Sequence, residues 1–225
     1  MNVSDAVRSR KSVRAFLDRT VPQALLREVL GLAARSPSGG NLQPWRIDVL
    51  VDEPLAAFKA RMAQRMSKDV SPDASEYPIY PDKLGEPYRS ARFKLGEAMY
   101  AQLGIAREDK TGRLRWLQNN YRFFGAPVGL FCTVDRGMGA AQWSDLGMYL
   151  QTLMLLLRER GVDSCAQEAW SIYHQTVREF LQTPPQHMLF CGMAIGYADP
   201  AAAVNRLQSE RQPLEQFTRL WGFAP

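Results

Sequence analysis

The sequence predicts an α+β domain, and three observations carry that expectation. Helical and alternating apolar patterns follow one another without a βαβ rhythm. Residues 45–51, 128–134 and 188–196 have strand character, while the stretches between them place apolar residues at helical spacing. The chain has 225 residues, 46% of them hydrophobic, which suits one domain with a sizeable core, or one subunit of an intertwined oligomer.

Asn2 or Ser4 is placed to cap a first helix running to about Arg10. Thr20-Val21-Pro22 opens a second, with Pro22 near its first position. Leu25, Leu26, Val29, Leu30 and Ala33 share one face of it, and Ser36-Pro37 ends it. Trp45, Ile47, Val49 and Val51 then alternate with Arg46, Asp48 and Leu50. That is a strand signature in which Leu50 weakens the polar face. Leu55, Phe58, Met62 and Met66 step by three and four, as in a helix. Residues 71–87 carry four prolines and read as a long loop of functional or mobile character. Helices are expected from Tyr88 to about Arg107 and from Arg113 to Phe124, then a buried strand over 128–134. Ser144 is expected to cap a central helix with the face Leu146, Leu150, Leu153 and Leu157, ended by Gly161. A short strand at 162–167 and a helix at 174–181, stopped by Thr183-Pro184-Pro185, precede the last strand at 188–196. After Gly196 the pattern dissolves, yet Phe217, Trp221 and Phe223 follow. Large aromatics are seldom left in solvent, so the tail either folds back or covers a partner. The expectation is a single domain over 1–225, with 197–225 extending onto a second subunit.

Composition excludes several classes. No run approaches the ~18 apolar residues of a membrane span, and Met1-Asn2-Val3-Ser4-Asp5 lacks a charged-then-apolar leader pattern. A cytoplasmic protein is expected, with no membrane partner. Cys132, Cys165 and Cys191 are odd in number and far apart, so neither a disulfide framework nor a zinc cage is expected. Two histidines, His174 and His187, without clustered thiols point to no metal, and no Gly-x-Ser-x-Gly elbow supplies a serine nucleophile. The net charge of +5 suits nucleic acid or an anionic small ligand. Only Phe16 accompanies the basic residues near the start, so nucleic acid is not the expected partner. Gly137-Met138-Gly139-Ala140-Ala141-Gln142 begins like a dinucleotide loop, but its last position fails and it reads as a turn.

Two stretches carry the chemistry. In Pro37-Ser38-Gly39-Gly40-Asn41-Leu42-Gln43-Pro44-Trp45, glycines admit close backbone approach and Ser38, Asn41 and Gln43 offer short polar groups. Read alone, its plain reading is a connecting loop. In Arg10-Lys11-Ser12-Val13-Arg14-Ala15-Phe16, an extended backbone would point Arg10, Ser12 and Arg14 the same way. Two guanidinium groups and a hydroxyl suit a phosphate, although a solvated basic turn has the same composition.

Together, in this order and separated by one helix, the two stretches resemble the flavin-dependent nitroreductase family. Its pattern is Arg-x-Ser-x-Arg/Lys-x-Phe followed by Pro-Ser-x-x-Asn-x-Gln-Pro-Trp. Gly161-Val162-Asp163-Ser164-Cys165-Ala166-Gln167-Glu168-Ala169-Trp170 looks like the family segment that passes the flavin ring. Gly196-Tyr197, followed by Asn205 and Arg211, looks like its closing phosphate segment. The resemblance covers most of the chain, and residues 68–125 only loosely.

The resemblance implies a nitroreductase-like fold, with a central mixed sheet flanked by helices, in an intertwined homodimer holding two FMN molecules at its interface. By that carry-over Arg10, Ser12 and Arg211 hold the FMN phosphate, and Lys11 counts among the cofactor-binding residues. Arg14 lies near the ring's N1 and C2 carbonyl. Pro37, Ser38, Gly39 and Asn41 approach from the other subunit, and the backbone at Gln167, Glu168 and Ala169 faces N5. No residue is expected to act as an acid or base, because the cofactor carries the hydride. A fixed cation near N1 stabilises the negative charge of the reduced ring. NADH or NADPH and a nitroaromatic would use one slot in turn, in a ping-pong cycle. A quinone, an enone, free flavin or a halogenated aromatic is the alternative acceptor. Some relatives have Gly at the place of Ala169. Some carry lysine where Ser209 stands, which leaves the phosphate to Arg10 and Arg211, or to Arg206. Glu168 is either a ring contact through its backbone or a solvated carboxylate. Trp170, Tyr173 and Phe124 suit core packing or substrate stacking.

Overall fold

A computed structural model describes residues 1–69 and 71–222; Phe223, one of the expected tail aromatics, lies outside them. Strands β1 (Arg46–Val51), β2 (Val128–Asp135), β3 (Asp163–Gln167) and β4 (His187–Gly196) form one sheet in the order β1-β2-β4-β3. Every neighbouring pair is antiparallel. A mixed sheet was the expectation; among the described residues the parallel component is confined to the bridge between Ser12 and Ser164. That bridge matters for the site, because it lays the Arg10–Phe16 stretch along the β3 edge.

Helices cover both faces of the sheet. On one face α2 (Gln23–Ala33) and the central helix α6 (Ala140–Glu159) close over Val128, Leu130, Cys132, Val134, Met193 and Ile195. Helix α1 (Val3–Ser9) packs on α6. The other face carries α3 (Asp52–Lys68), α7 (His174–Leu181) and two 3-10 segments, Gln118–Gly125 and Glu168–Tyr173. This second cover explains Leu50, which is buried beside Phe58 and Phe131 where a solvated face would call for a polar residue. Aromatic rings fill that layer at the sites where the strands are glycine. A Cβ on Gly129 would lie 2.6 Å from the Phe123 ring, and one on Gly192 would lie 2.3 Å from the Trp170 ring. Trp170, Tyr173 and Phe124 are buried in this layer, so core packing is their role within the chain.

Helix ends follow local chemistry. Asn2, rather than Ser4, caps α1: its Oδ1 accepts the Asp5 amide at 2.9 Å while Asp5 returns to the Asn2 amide. Helix α4 (Tyr88–Gln102) stops short of Arg107 because Gly104 turns left-handed at φ 65°, with the Ile105 amide reaching back to the Tyr100 carbonyl. Gly161, at φ 73°, ends α6 in the same way, as expected. Helix α6 begins earlier than expected, because Gln142 reaches back to the Gly139 amide and Ser144 bonds inward to the Ala141 carbonyl. Helix α5 (Lys110–Leu117) is capped by Asp109, whose carboxylate accepts the Gly112 amide at 2.8 Å. The chain then tightens into the 118–125 segment. Phe123 and Phe124 take φ of 51° and 52° there, a strained conformation for bulky residues that burial of both rings offsets.

Residues 71–87 contain neither helix nor strand, as expected, but the first part is clamped down. The Asp73 amide donates to the Ile172 carbonyl, and its carboxylate accepts from the Gln175 amide. Glu76 meets Arg136 and the Leu189 amide, and the Tyr77 hydroxyl bonds to the Phe190 carbonyl. Among the described residues no helix is long and apolar enough to cross a membrane.

Candidate functional site

The site begins with backbone pairing at the β3 edge. Past α1 the chain runs extended, and the Val13 amide donates to the Ser164 carbonyl at 3.0 Å. Val13 is fully buried, so its neighbours face outward. On the opposite side the Leu17 amide bonds to the Tyr197 carbonyl, and the Asp199 amide bonds to the Ala15 carbonyl. The stretch is therefore held between β3 and the segment that leaves β4.

Asn205 locks this junction. Its side chain is buried, accepts the Arg14 amide at 2.9 Å, and donates to the Ala15 and Asp199 carbonyls at 2.8 and 3.0 Å. Its carbonyl accepts from the Lys11 ammonium. One amide side chain thus fixes the relative position of two stretches 191 residues apart in sequence.

Around the junction lies a cleft of about 720 Å³ lined by Arg10, Lys11, Arg158, Arg206 and Arg211 together with Asp163 and Asp199. Asp163 is spent within the chain: it pairs with Arg158 at 3.1 Å and accepts the Ala198 amide. Among the described residues Arg211 bonds only to its own neighbours, Ser209 and Glu210. The cleft therefore keeps a surplus of cations, the donor set that a phosphate ester requires.

The structure brings Arg10, Lys11 and Arg211 together around this cleft, with Arg206 beside them. Ser12 and Arg14 do not line it. Ser12 sits at the bridge to Ser164, and the Arg14 guanidinium reaches the Ser12 carbonyl at 3.5 Å. Both are close enough to Cys165 to hold down its thiol, although burial prevails and pushes that thiol up. All three cysteines are buried and free, so none offers an activated thiolate.

The β3 strand ends at Gln167, and a 3-10 turn starts at Glu168 without a side-chain cap on its first amides. The Gln167 side chain is occupied: Nε2 donates to the Asn120 carbonyl at 2.8 Å, and Oε1 accepts from the Trp170 indole. The Tyr121 hydroxyl donates to the Ala169 carbonyl at 3.4 Å. The 118–125 segment thereby holds the Gln167 side chain and the Ala169 carbonyl. Glu168 is exposed on one side and crowded by protein on the other, and that desolvation raises its carboxyl above the ordinary value of 4.5.

The Pro37–Asn41 stretch lies elsewhere. The Gly39 amide donates to both oxygens of the buried Asp145 carboxylate at 3.3 Å, and the Ser38 hydroxyl accepts the Gln43 amide at 3.0 Å. Gly40, Asn41 and Gln43 take positive φ, which throws this loop outward with Asn41 exposed. Asp145 stands near the start of α6, and Arg158, which lines the basic cleft, stands near its end. Thirteen residues separate them, or about 20 Å of helix. Within one chain the loop and the cleft face opposite ends of α6.

Two supporting residues escaped sequence reasoning. Asp145 carried a signal, a carboxylate in the apolar pattern of a central helix, where a buried charge needs donors. Asn120 carried none; only the fold sets it against Gln167. Among the described residues no group of three or more His, Cys, Asp or Glu could hold a metal ion.

The model of the Nitroreductase family matches residues 7–197. The chain is 38% identical over 217 residues to a 4-nitrobenzoate reductase of Pseudomonas putida, with 96% of this chain and 94% of that protein covered. It is 38% identical over 222 residues to a chloronitrobenzene nitroreductase of Comamonas testosteroni, with 96% and 95% covered. Its fold matches the crystal structure of an FMN and NADPH-dependent nitroreductase, NfnB, from Sphigopyxis sp. strain HMH, with a TM-score of 0.95, 48% identity, and 99% and 100% of the two chains covered. The NfnB of Mycobacterium smegmatis, crystallised with NADPH, matches with a TM-score of 0.91 at 30% identity, with 98% and 100% covered.

Proposed function

The chain belongs to the nitroreductase family, and from that premise we propose that it is an FMN-dependent oxidoreductase using NADPH or NADH to reduce nitroaromatic compounds. The observation that carries this reading is the basic cleft at the Asn205 junction, whose cations outnumber the acids left to neutralise them. In the proposal Arg10, Lys11 and Arg211 bind the FMN phosphate, with Arg206 as reserve. Arg14 stands toward N1 and the C2 carbonyl as a fixed positive charge. The uncapped amides of Glu168 and Ala169 face N5, with Tyr121 bonded to the Ala169 carbonyl and Asn120 holding the adjoining Gln167 side chain. FMN, when bound, supplies the hydride chemistry, so the protein's part is to bind, orient and polarise.

The proposal includes a homodimer. About 20 Å of α6 separates Asp145, which anchors the loop, from Arg158, which lines the cleft, so a second copy brings such a loop to the cleft more directly than its own chain does. Pro37, Ser38, Gly39 and Asn41 would then complete the partner's site. The tail supports the same arrangement. Leu214, Phe217 and Leu220 are exposed, and Trp221 is 84% exposed, so they find no cover on their own subunit. Reductant and nitroaromatic use one slot in turn, a ping-pong cycle.

The test is optical. The purified protein should be yellow, bleach on adding NADPH or NADH without oxygen, and recolour when a nitroarene follows. A protein that neither retains flavin nor responds to the reductant would refute the proposal.

A further inference from the structure

We propose that the open cleft walled by Trp116, Arg115 and Arg122 is an anion subsite that selects a planar aromatic group carrying a negative charge. The inference rests on the flavin site proposed above. The cleft holds about 430 Å³, and Gln118, Asn119 and Ile105 complete its walls. That volume is within the range of small-molecule sites.

Its position ties it to the reaction. Gln118, Asn119 and Arg122 belong to the 3-10 segment whose next residues, Asn120 and Tyr121, bond Gln167 and Ala169. The subsite thus adjoins the segment that supports the backbone assigned to N5.

Its charge is uncommitted. Arg113, on the same helix as Arg115, is bidentate to Glu97 at 2.5 and 3.0 Å, and Arg158 is paired with Asp163. Arg115 and Arg122 meet no carboxylate among the described residues. Two free guanidinium groups beside an indole match an aromatic ring with an anionic oxygen group, since the fork takes carboxylate or phosphate oxygens and the indole face takes the ring.

That chemistry has two sources: the carboxylate of an aromatic acceptor, or the 2′-phosphate beside the adenine of NADPH. The experiment compares the FMN-loaded wild type with the double variant Arg115→Gln/Arg122→Gln. Both residues lie at the surface, which leaves the core intact. One arm reads the ratio of kcat/KM for 4-nitrobenzoate over nitrobenzene, the other the ratio for NADPH over NADH. Calorimetric binding of benzoate and of NADP⁺ against NAD⁺ gives the same comparison without turnover. One of the two ratios should fall about tenfold, the combined effect of two screened ion pairs. A fall in the first assigns the acceptor carboxylate, and a fall in the second assigns the 2′-phosphate. Equal ratios in variant and wild type, in kinetics and in binding, overturn the subsite. A wild type that retains no flavin and shows no bleaching with either reductant would instead refute the flavin reading, and the binding measurements would still decide the subsite.

Discussion

Replacing Asn205 with alanine should loosen the whole candidate site from a position that touches no substrate. The side chain is 5% exposed and makes three hydrogen bonds, at 2.9, 2.8 and 3.0 Å. Truncation removes all three and leaves the Arg14 amide and two carbonyls without that partner. At about 1 kcal/mol for each net bond, the loss is about 3 kcal/mol. For a chain of this size 1 kcal/mol moves Tm by about 2–4 °C, so Tm should fall by about 6–12 °C. Thermal unfolding followed by circular dichroism reads this directly in flavin-free protein. Asn205→Asp preserves the acceptor for the Arg14 amide but turns a buried carboxylate oxygen toward two carbonyl oxygens, and should fall at least as far as alanine at neutral pH. If Asn205→Ala unfolds within about 2 °C of wild type, the junction is not the clamp described here.

Three other outcomes follow from the packing. Removing residues 213–225 should convert a dimer to monomer in analytical ultracentrifugation, since Leu214, Phe217, Leu220 and Trp221 are exposed on the single chain; a dimer of unchanged affinity would refute the crossing tail. Gly192→Ala forces a methyl group into the Trp170 ring and should cost about 1–3 kcal/mol in urea unfolding, whereas an unchanged midpoint would contradict the close approach. Glu168→Gln should raise stability at neutral pH. A carboxyl whose folded value lies above the unfolded one favours the folded state below the unfolded value of 4.5, and that advantage is lost as pH rises through the folded value. Urea midpoints at pH 4 and pH 7 should therefore converge in the variant, and an unaltered pH slope would remove Glu168 from the account.

Much of this was legible in the sequence because the signals were local. Gly161 ends the central helix and Asn2 caps the first, each through a bond spanning a few residues. The two motif stretches were equally visible, since their residue types state a chemistry. The rest depends on contacts far apart in sequence. Nothing near Ser144 reveals that Gln142 starts the helix from Gly139, because serine has an inward partner as good as a cap. The left-handed Phe123 packs on the Trp170 and Phe58 rings, and Phe124 on the Trp116 ring; the first two lie far off in sequence, where the local pattern does not reach. Alternation in the basic stretch grouped Arg10 with Ser12 and Arg14. It did not foresee that Lys11 would join the cleft while Ser12 and Arg14 remain at the strand edge.

The central claim is that Arg10, Lys11 and Arg211 form a phosphate site for a flavin shared between two copies of the chain. Calorimetric titration of flavin-free protein with FMN and with riboflavin, which lacks the phosphate, tests it most directly. The account predicts one FMN per chain, and FMN affinity above that of riboflavin by at least about tenfold, as expected for one charge-assisted contact worth ~1.5–3 kcal/mol. Arg10→Ala should narrow that gap. Equal affinity for the two flavins, with Arg10→Ala binding FMN as wild type does, would contradict it.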